Sequence, residues 1–401
     1  MGLYAFGSNG SGQLGIGHTE DVSTPMQCLF DAELAPEDTI SDIVAGGNHT
    51  LLLTRLGRVY VAGCNADGRC GPLSSDDSKH IEENLLRFKR VILTDAATGW
   101  SVETFRCVSA TWEGSVLVAA VPSGPEKDLY EDKVFVMGSS PKGELGVETG
   151  PACQTVDPGC SIPTFPPKGT QIIALASGMG HSIAILSNGR VYGWGGSRKG
   201  QLGDGFKAQK LVFRPTEIQG VPFAAQSAVC GREFTVICGE RSQGEFVVLG
   251  EKTNRWGILN VPSGLQLPST ETHDQSLVPF SAIGASWHGI YVHTTSQGAD
   301  RAANRGRLIA WGRNDRGQLP PEGLPSIVKM AVGSEHVLVL MHDGTVAAFG
   351  WGEHGNCGPE TDDRGNVAER FSQIPLDAVV GGDKRVAGLG AGCATSWIVV
   401  D

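Results

Sequence analysis

Gly7-Ser8-Asn9-Gly10-Ser11-Gly12-Gln13-Leu14-Gly15 is the stretch that decides the fold, because the chain repeats it. Similar copies begin at Gly138, Gly195 and Gly312, and looser copies at Gly63, Gly250 and Gly350. The copy at Gly250 departs most, since Arg255 stands where we expect the second loop glycine. Each copy follows a short apolar segment, and glycines permit the positive φ of a tight turn. Seven copies therefore predict seven repeats of one strand-and-turn unit.

A second signature precedes the loops and consists of glycine, two further residues, histidine and an apolar strand. It occurs at 46–49, 178–181 and 333–336, and each of these histidines lies 14 residues before the next loop glycine. We align Glu113 and His288 with these histidines in two further copies. Asn188-Gly189 and Asp343-Gly344 are typical of type I′ hairpin turns. The constant spacing predicts a hairpin of fixed size in each repeat.

The two ends of the chain complement each other. Residues 394–401 form the first strand of a hairpin without a second, whereas residues 2–7 form a second strand without a first. Pairing them removes two open strand edges. We therefore predict an all-β fold, a seven-bladed β-propeller of four-stranded blades closed by pairing of Leu3 to Phe6 with Trp397 to Val400. A single domain spans residues 1–401, with insertions near 72–100, 122–132, 147–168 and 296–306.

Charge and composition exclude several classes of function. The formal net charge of −11 disfavours direct nucleic-acid binding, which depends on clustered Lys and Arg. The sequence contains no apolar run of membrane-spanning length and no signal-peptide pattern at its start, so we expect no membrane association and a cytoplasmic, also nuclear, location. The ten cysteines are expected to be reduced thiols, and spacings such as Cys64 to Cys70 do not match zinc pairs.

The Gly-Gln-Leu-Gly loops and the Gly-x-x-His strands resemble the repeats of the regulator of chromosome condensation family over essentially the whole chain. The opening from Tyr4 to His18, followed by Glu20-Asp21 and Thr24-Pro25, is most similar to the fungal group of α-tubulin-suppressor, or killer-toxin-insensitivity, propellers.

The closer resemblance implies a non-enzymatic protein-binding platform without a cofactor. Its partner would be a small, acidic zinc-ribbon protein, bound as a heterodimer. That partner carries electrons for diphthamide synthesis on elongation factor 2 and supports Elongator-dependent modification of tRNA wobble uridines. The wider family implies an alternative, a guanine nucleotide exchange factor for a small GTPase.

The repeated histidines invite a catalytic or metal-binding interpretation. Equivalent positions in successive blades place them around a ring, so we expect His49, His181, His288 and His336 to hydrogen-bond neighbouring loops instead. No catalytic residues are predicted. The segment 80–90 carries Ile81, Leu85 and Phe88 at helical spacing and is interpreted as the one helix-like segment.

Residues that break the repeat are the candidates for partner binding. Trp112 and Trp287 stand where we align Asn48, Gly180, Glu233 and Glu335 of other copies, and Trp351 and Trp256 lie in loops. Hairpin starts and ends lie at one edge of a blade, so these residues are expected to open onto one face. Trp and Arg are enriched in interface hot spots. The predicted partner-binding residues are Trp112, Trp256, Trp287, Trp351, Arg198, Lys199, Arg255 and Arg313.

Overall fold

The computed structural model describes residues 2–32, 34–35, 37–72, 83–122, 130–148, 155–156, 159–250, 253–263, 265, 278–295, 306–377, 379–381 and 384–401. Large parts of the predicted insertions lie outside these residues. In the described residues, seven antiparallel sheets of three or four strands follow one another along the chain, together with one two-stranded sheet. The prediction of an all-β, seven-bladed propeller is confirmed.

The chain divides into two compact units. The first comprises Met1–Ser8, Asp21–Gln27 and Val221–Asp401, and the second comprises Asn9–Glu20 and Cys28–Gly220. The first unit contains blades 1, 5, 6 and 7, and the second contains blades 2, 3 and 4.

Blades 1, 5, 6 and 7 are built from the following strands. Blade 1 has the order β2 (Val22–Gln27), β1 (Gly2–Gly7), β28 (Thr395–Val400) and β27 (Val386–Ala391); blade 5 has β17 (Ser227–Cys230), β18 (Thr235–Cys238) and β19 (Phe246–Leu249); blade 6 has β20 (Phe280–Ser286), β21 (Gly289–Thr294) and β22 (Leu308–Gly312); blade 7 has β23 (Ile327–Val332), β24 (His336–Met341), β25 (Val346–Trp351) and β26 (Asn366–Gln373).

Blades 2, 3 and 4 follow the same plan with four strands each. Blade 2 has β3 (Ile40–Ala45), β4 (His49–Thr54), β5 (Val59–Cys64) and β6 (Asn84–Arg90); blade 3 has β9 (Cys107–Ala110), β10 (Gly114–Pro122), β11 (Tyr130–Ser139) and β12 (Thr155–Val156); blade 4 has β13 (Ile172–Ser177), β14 (His181–Leu186), β15 (Val191–Gly196) and β16 (Leu211–Glu217). A small sheet joins β7 (Leu93–Thr94) to β8 (Ser101–Val102), and 3-10 helices span Asp204–Gln209 and Arg241–Gln243. No helix among the described residues is long and apolar enough to cross a bilayer.

The ends of the chain pair as predicted. β1 and β28 are antiparallel neighbours in blade 1, and Leu3 lies opposite Val399 while Phe6 lies opposite Ser396. Phe6 and Trp397 are completely buried. The terminal strands therefore occupy the middle of a four-stranded sheet, so blade 1 has no open edge at the chain ends.

The strand registers correct two sequence alignments. His49 pairs with Gly63 and His336 with Gly350, but the residue that pairs with Gly312 is Gly289 and not His288. In the same way, Gly114 and not Glu113 pairs with Gly138. Trp112 and Trp287 therefore occupy the position of Gly47, one residue before Asn48.

The interpretation of residues 80–90 as helix-like was wrong. Residues 84–90 form β6, which pairs with β5 through a register shift between Val61 and Gly63. This bulge leaves Leu85 and Phe88 as the buried pair, three residues apart, which imitates a helical period.

The hairpin turns were correctly located, but their type was not. Gly189 and Gly344 have φ values of 79° and 86°, whereas the Asn188 and Asp343 that precede them do not have positive φ. A type I′ turn needs positive φ at both residues, so these turns are three-residue loops that end on a left-handed glycine.

Replacing Ile398 by proline tests the closure of blade 1. Hydrogen-bonded pairs alternate along an antiparallel ladder, and Ser8 donates to the Ala394 carbonyl, so the Ile398 amide donates to Tyr4. Proline removes that donor in a central strand. We expect Ile398→Pro to lower the free energy of unfolding by about 3 kcal/mol or more in urea titrations, against about 1 kcal/mol for Ile398→Val. Similar midpoints for both variants would contradict the closure.

Candidate protein-binding surface

Each propeller loop is fixed by bonds of its own backbone. In the loop of blade 1, the Asn9 side chain accepts the Leu14 N–H at 3.0 Å, and the Gly12 N–H donates to the Asn9 carbonyl at 2.8 Å. Asn65 in blade 2 and Asn314 in blade 6 accept in the same way from Cys70 and Leu319, at 2.8 and 2.9 Å. These turns give every loop one shape, so a side chain on a loop has a defined position.

A hydroxyl on the second strand of the following blade anchors the residue that comes after the second loop glycine. Thr50 donates to the Gln13 carbonyl at 2.8 Å, and Ser182 donates to the Glu144 carbonyl at 3.1 Å. Ser115 donates to the Arg69 carbonyl at 2.7 Å. Ser396 donates to Asn356 in the same manner, at 2.8 Å. These side chains tie the loop of one blade to the second strand of another.

His49 and His336 support these anchors through the serine hydroxyls, and not by the direct bonds to loops that we predicted. His288 lies one residue before the equivalent position and packs against Trp256 instead. His49 Nε2 lies 3.0 Å from Ser115 Oγ, and His336 Nε2 lies 2.9 Å from Ser396 Oγ. Because each serine donates its proton to a loop carbonyl, the imidazole N–H is the donor to the serine. A Cβ on Gly46 would lie 2.2 Å from His49 Cε1, which explains the glycine three residues before the histidine.

The loop of blade 5 differs from our alignment. Asn254 accepts the Leu259 N–H at 2.8 Å, and the Gly257 N–H donates to the Asn254 carbonyl at 2.9 Å. Gly257 is therefore the second loop glycine, and Arg255 does not replace it. Arg255 and Trp256 occupy the two positions at the tip of the turn, where the chain presents them outward.

Trp256 is the centre of a stack of cations. The guanidinium carbons of Arg255 and Arg313 lie 4.8 and 5.1 Å from its ring centroid, and the His288 ring lies 5.8 Å away. A guanidinium over an indole is stabilised by about 0.5 to 2 kcal/mol, depending on desolvation. Burial, with Arg313, Arg232 and Arg255 adding to it, lowers the pKa of His288 to about 4, so this ring is neutral near pH 7.

Carboxylates hold the cationic side chains of this stack in place. Arg313 forms an ion pair with Glu335 and a bidentate pair with Asp315 at 2.6 and 2.9 Å. Glu335 also lies 3.6 Å from Arg316, and burial raises its pKa despite the neighbouring arginines. The Arg313 side chain is only 17% exposed, whereas Arg255 is exposed and Arg316 is 40% exposed.

Arg316 extends the stack to the next loop. Its guanidinium carbon lies 5.2 Å from the centroid of the Trp351 ring. The Trp351 and His354 rings form a T-shaped pair with their centroids 5.3 Å apart. Trp287 carries a guanidinium of its own, since Arg232 lies 5.6 Å from its ring. We call this group the arginine–tryptophan cluster; its members are Arg232, Arg255, Trp256, Trp287, Arg313, Arg316 and Trp351.

The structure therefore unites five of the eight predicted residues, namely Trp256, Trp287, Trp351, Arg255 and Arg313. Sequence reasoning did not select Arg232, Arg316 or Glu335 as site residues. Arg316 lies in the same loop as the predicted residue Arg313, so its position carried a signal. Arg232 and Glu335 lie beside the strand starts, and only the fold brings them to the loops.

The other three predicted residues belong to the second unit. Trp112 accepts the Gly47 N–H at 3.0 Å and donates to the Met179 carbonyl at 3.1 Å. Its ring lies against Gly47, where a Cβ would meet it at 2.8 Å. Trp112 thus joins neighbouring blades. Arg198 is exposed and Lys199 half-buried on the loop of blade 4.

Comparison with known proteins supports this architecture. Two models of the regulator of chromosome condensation (RCC1) repeat match the chain, over residues 2–53 and 188–238 and over residues 40–69 and 172–201. An RCC1 repeat-containing protein of Schizosaccharomyces pombe is 31% identical over 100% of this chain and 99% of its own length. The chain belongs to the regulator of chromosome condensation repeat family.

Other similar proteins have lower identity to this chain. The secretion-regulating guanine nucleotide exchange factor of Mus musculus is 26% identical over 99% of this chain and 83% of its own length. Among solved structures, Prp20p of Saccharomyces cerevisiae superposes with a TM-score of 0.71 at 19% identity, covering 99% of this chain and 90% of Prp20p. Human WBSCR16 gives 0.69 at 16% identity, with complete coverage of both chains. These structures share the propeller fold.

The buried histidines make the stability of this family member depend on pH. Burial lowers the pKa of His49 to about 3, with a contribution from Arg69, and that of His336 to about 4. The unfolded state then binds more protons below pH 6.5, so the free energy of unfolding falls with falling pH, by about 1.4 kcal/mol per pH unit and histidine.

We expect the double variant His49→Gln/His336→Gln to be less stable at pH 7.5 but to lose less stability between pH 6.5 and 4.5. Urea unfolding at several pH values measures both effects. The exposed His342→Gln is the control and should retain the wild-type slope. Parallel curves for the double variant and the wild type would contradict the assignment.

Proposed function

We propose that the chain is a non-enzymatic protein-binding platform and that the arginine–tryptophan cluster is its docking surface for an acidic partner. The observation that carries this proposal is the stack on Trp256, in which two guanidinium groups lie on one indole ring in a chain of net charge −11. Tryptophan and arginine are the residue types most enriched in interface hot spots. A local cationic surface on an acidic protein attracts an acidic partner and fixes its orientation.

The arrangement supports binding because little has to be ordered when a partner arrives. Asp315 and Glu335 hold Arg313, and the bonds of Asn254 fix the turn that carries Arg255 and Trp256. Pre-organised side chains lose less conformational entropy on association. In this scheme Arg255 and Arg316 contact the partner, while Arg313 positions the Trp256 indole beneath Arg255.

The partner we favour is a small, acidic zinc-ribbon protein that forms a heterodimer with this chain. The resemblance to the fungal α-tubulin-suppressor propellers suggests it. On that basis the complex would regulate electron delivery for diphthamide synthesis on elongation factor 2 and, with Elongator, the modification of tRNA wobble uridines. The platform would act in the cytoplasm and in the nucleus.

The double variant Arg255→Glu/Arg316→Glu tests the docking surface. We expect it to weaken binding of the recombinant zinc-ribbon protein of the same organism at least tenfold, about 1.4 kcal/mol, measured by isothermal titration calorimetry. The thermal unfolding midpoint should stay close to the wild-type value, since neither side chain is buried.

Lys168→Glu/Arg364→Glu is the matched control, because it makes the same change in charge at two exposed positions outside the cluster. The control should bind like the wild type. Equal affinities of the two double variants for the zinc-ribbon protein would contradict the assignment of the cluster as the docking surface.

Guanine nucleotide exchange is a second candidate function. The match to the mouse secretion-regulating guanine nucleotide exchange factor over 99% of this chain favours it. Release of fluorescent GDP from purified small GTPases of the same organism separates the two functions. A docking subunit leaves the release rate unchanged, whereas catalytic amounts of an exchange factor raise it.

A further inference from the structure

Among the residues that the structure describes, blade 6 has three strands. The chain leaves β22, forms the loop up to Leu319 and reaches β23 at Ile327 with only residues 320–326 between them, all of which are described. In blade 4 the corresponding connection contains a complete outer strand, β16. β22 is therefore the outermost strand of its sheet in the part of the chain that the structure describes.

The outer edge of β22 carries backbone groups that other blades use for a fourth strand. Arg313 N–H donates to His288, and Thr294 N–H donates to Arg307, so the alternating ladder directs the polar groups of Leu308, Ala310 and Gly312 away from β21. The Leu308 carbonyl corresponds to four carbonyls that each accept, at 2.8 or 2.9 Å, the N–H of a residue that follows the outer strand of the blade. These are the carbonyls of Val59, Val134, Val191 and Val346.

The side chains of β22 are also less buried than those of third strands that pair with an outer strand. In blades 2 and 7 the first five residues of the third strand are all buried. In β22 only Trp311 is buried, and Leu308, Ile309 and Ala310 are half-exposed although they pack on core clusters. A fourth strand would cover them.

The loop glycines show which loop lies beside the position of a fourth strand in blade 6. A Cβ on the second glycine of a loop would touch the outer strand of the next blade, from Gly12 to Leu86 at 2.6 Å and from Gly317 to Ala368 at 2.4 Å. The corresponding glycine before blade 6 is Gly257, and among the described residues a Cβ there would approach Asn260 alone, at 3.4 Å. The open position therefore lies beside the turn that presents Arg255 and Trp256.

We propose that an extended acidic segment of the partner adds to β22 as an antiparallel fourth strand and completes blade 6. The inference rests on the proposed function and specifies how the partner is held. In blades 2, 4 and 7 the outer strand is antiparallel to the third strand, so we expect the added segment to run antiparallel to β22. Main-chain bonds to Leu308, Ala310 and Gly312 would supply affinity, and exposed Arg255 and Arg307 at the border favour carboxylates.

Ala310→Pro tests the strand addition. Its N–H points outward, so proline removes a docking donor while the ladder to β21 stays complete, and proline is tolerated on edge strands. The control is Ala310→Ser, which keeps the N–H. The probe is a fluorescein-labelled decapeptide of alternating Glu and Val, followed by fluorescence anisotropy, with the Lys–Val peptide as its charge control.

We expect the Glu–Val peptide to bind the wild type and the serine control alike, and to bind Ala310→Pro at least tenfold more weakly. The Lys–Val peptide should bind weakly to all three. Hydrogen exchange provides a second readout on the wild type, because bound peptide should slow exchange of the Leu308, Ala310 and Gly312 amides. This readout holds even if the proline variant folds poorly.

The outcomes separate the inference from the proposed function. Unchanged affinity of Ala310→Pro, no peptide binding, or unchanged exchange at these amides would overturn strand addition. If at the same time Arg255→Glu/Arg316→Glu loses the zinc-ribbon protein, the docking surface stands without strand addition. Slower exchange that grows with protein concentration in the absence of peptide would identify a second copy of this chain as the occupant and also overturn the inference.

Discussion

The pairing of β1 with β28 is the constraint on which the first unit depends. Six residue pairs join the two chain ends, and both strands lie in the middle of their sheet. Strand β28 carries Ser396, which anchors the loop of blade 7 by donating to the Asn356 carbonyl and accepts a hydrogen bond from the imidazole of His336. Trp351 begins that loop. The closure of the chain is thereby coupled to the position of one end of the arginine–tryptophan cluster.

The loops act as rigid supports because their polar groups are satisfied internally. An Asn or Ser side chain closes the turns of blades 1, 2, 3, 5 and 6. In the loops of blades 1, 2, 3 and 7, a hydroxyl from the adjacent blade fixes the residue after the second glycine. Neutral, buried histidines then hold those hydroxyls. A surface built on such loops can vary at the turn tips, as Trp256 shows, without a change in the framework beneath. Family members can therefore share a fold and differ in partner.

Much of the fold was predictable from the sequence, because glycine and histidine spacings report the size of a hairpin directly. The same hairpin spacing also predicts how the first strand of the chain pairs with the last. Local patterns failed where the ladder is irregular. The bulge in β6 spaces Leu85 and Phe88 like a helix, and two extra residues before Asn254 hid the true loop glycine. The candidate site was predictable only in part, since Trp256 and Arg255 break the repeat visibly, whereas the approach of Glu335 to Arg313 comes from a neighbouring blade.

The most direct test of this account is native-state amide hydrogen exchange in β1. The amides of Tyr4 and Phe6 should exchange as slowly as those of Val337 and Val339 in the central strand β24, because all four open only when the unit unfolds. Exchange of Tyr4 and Phe6 that is orders of magnitude faster, as in a fraying chain end, would contradict the closure and with it the defined position of the cluster.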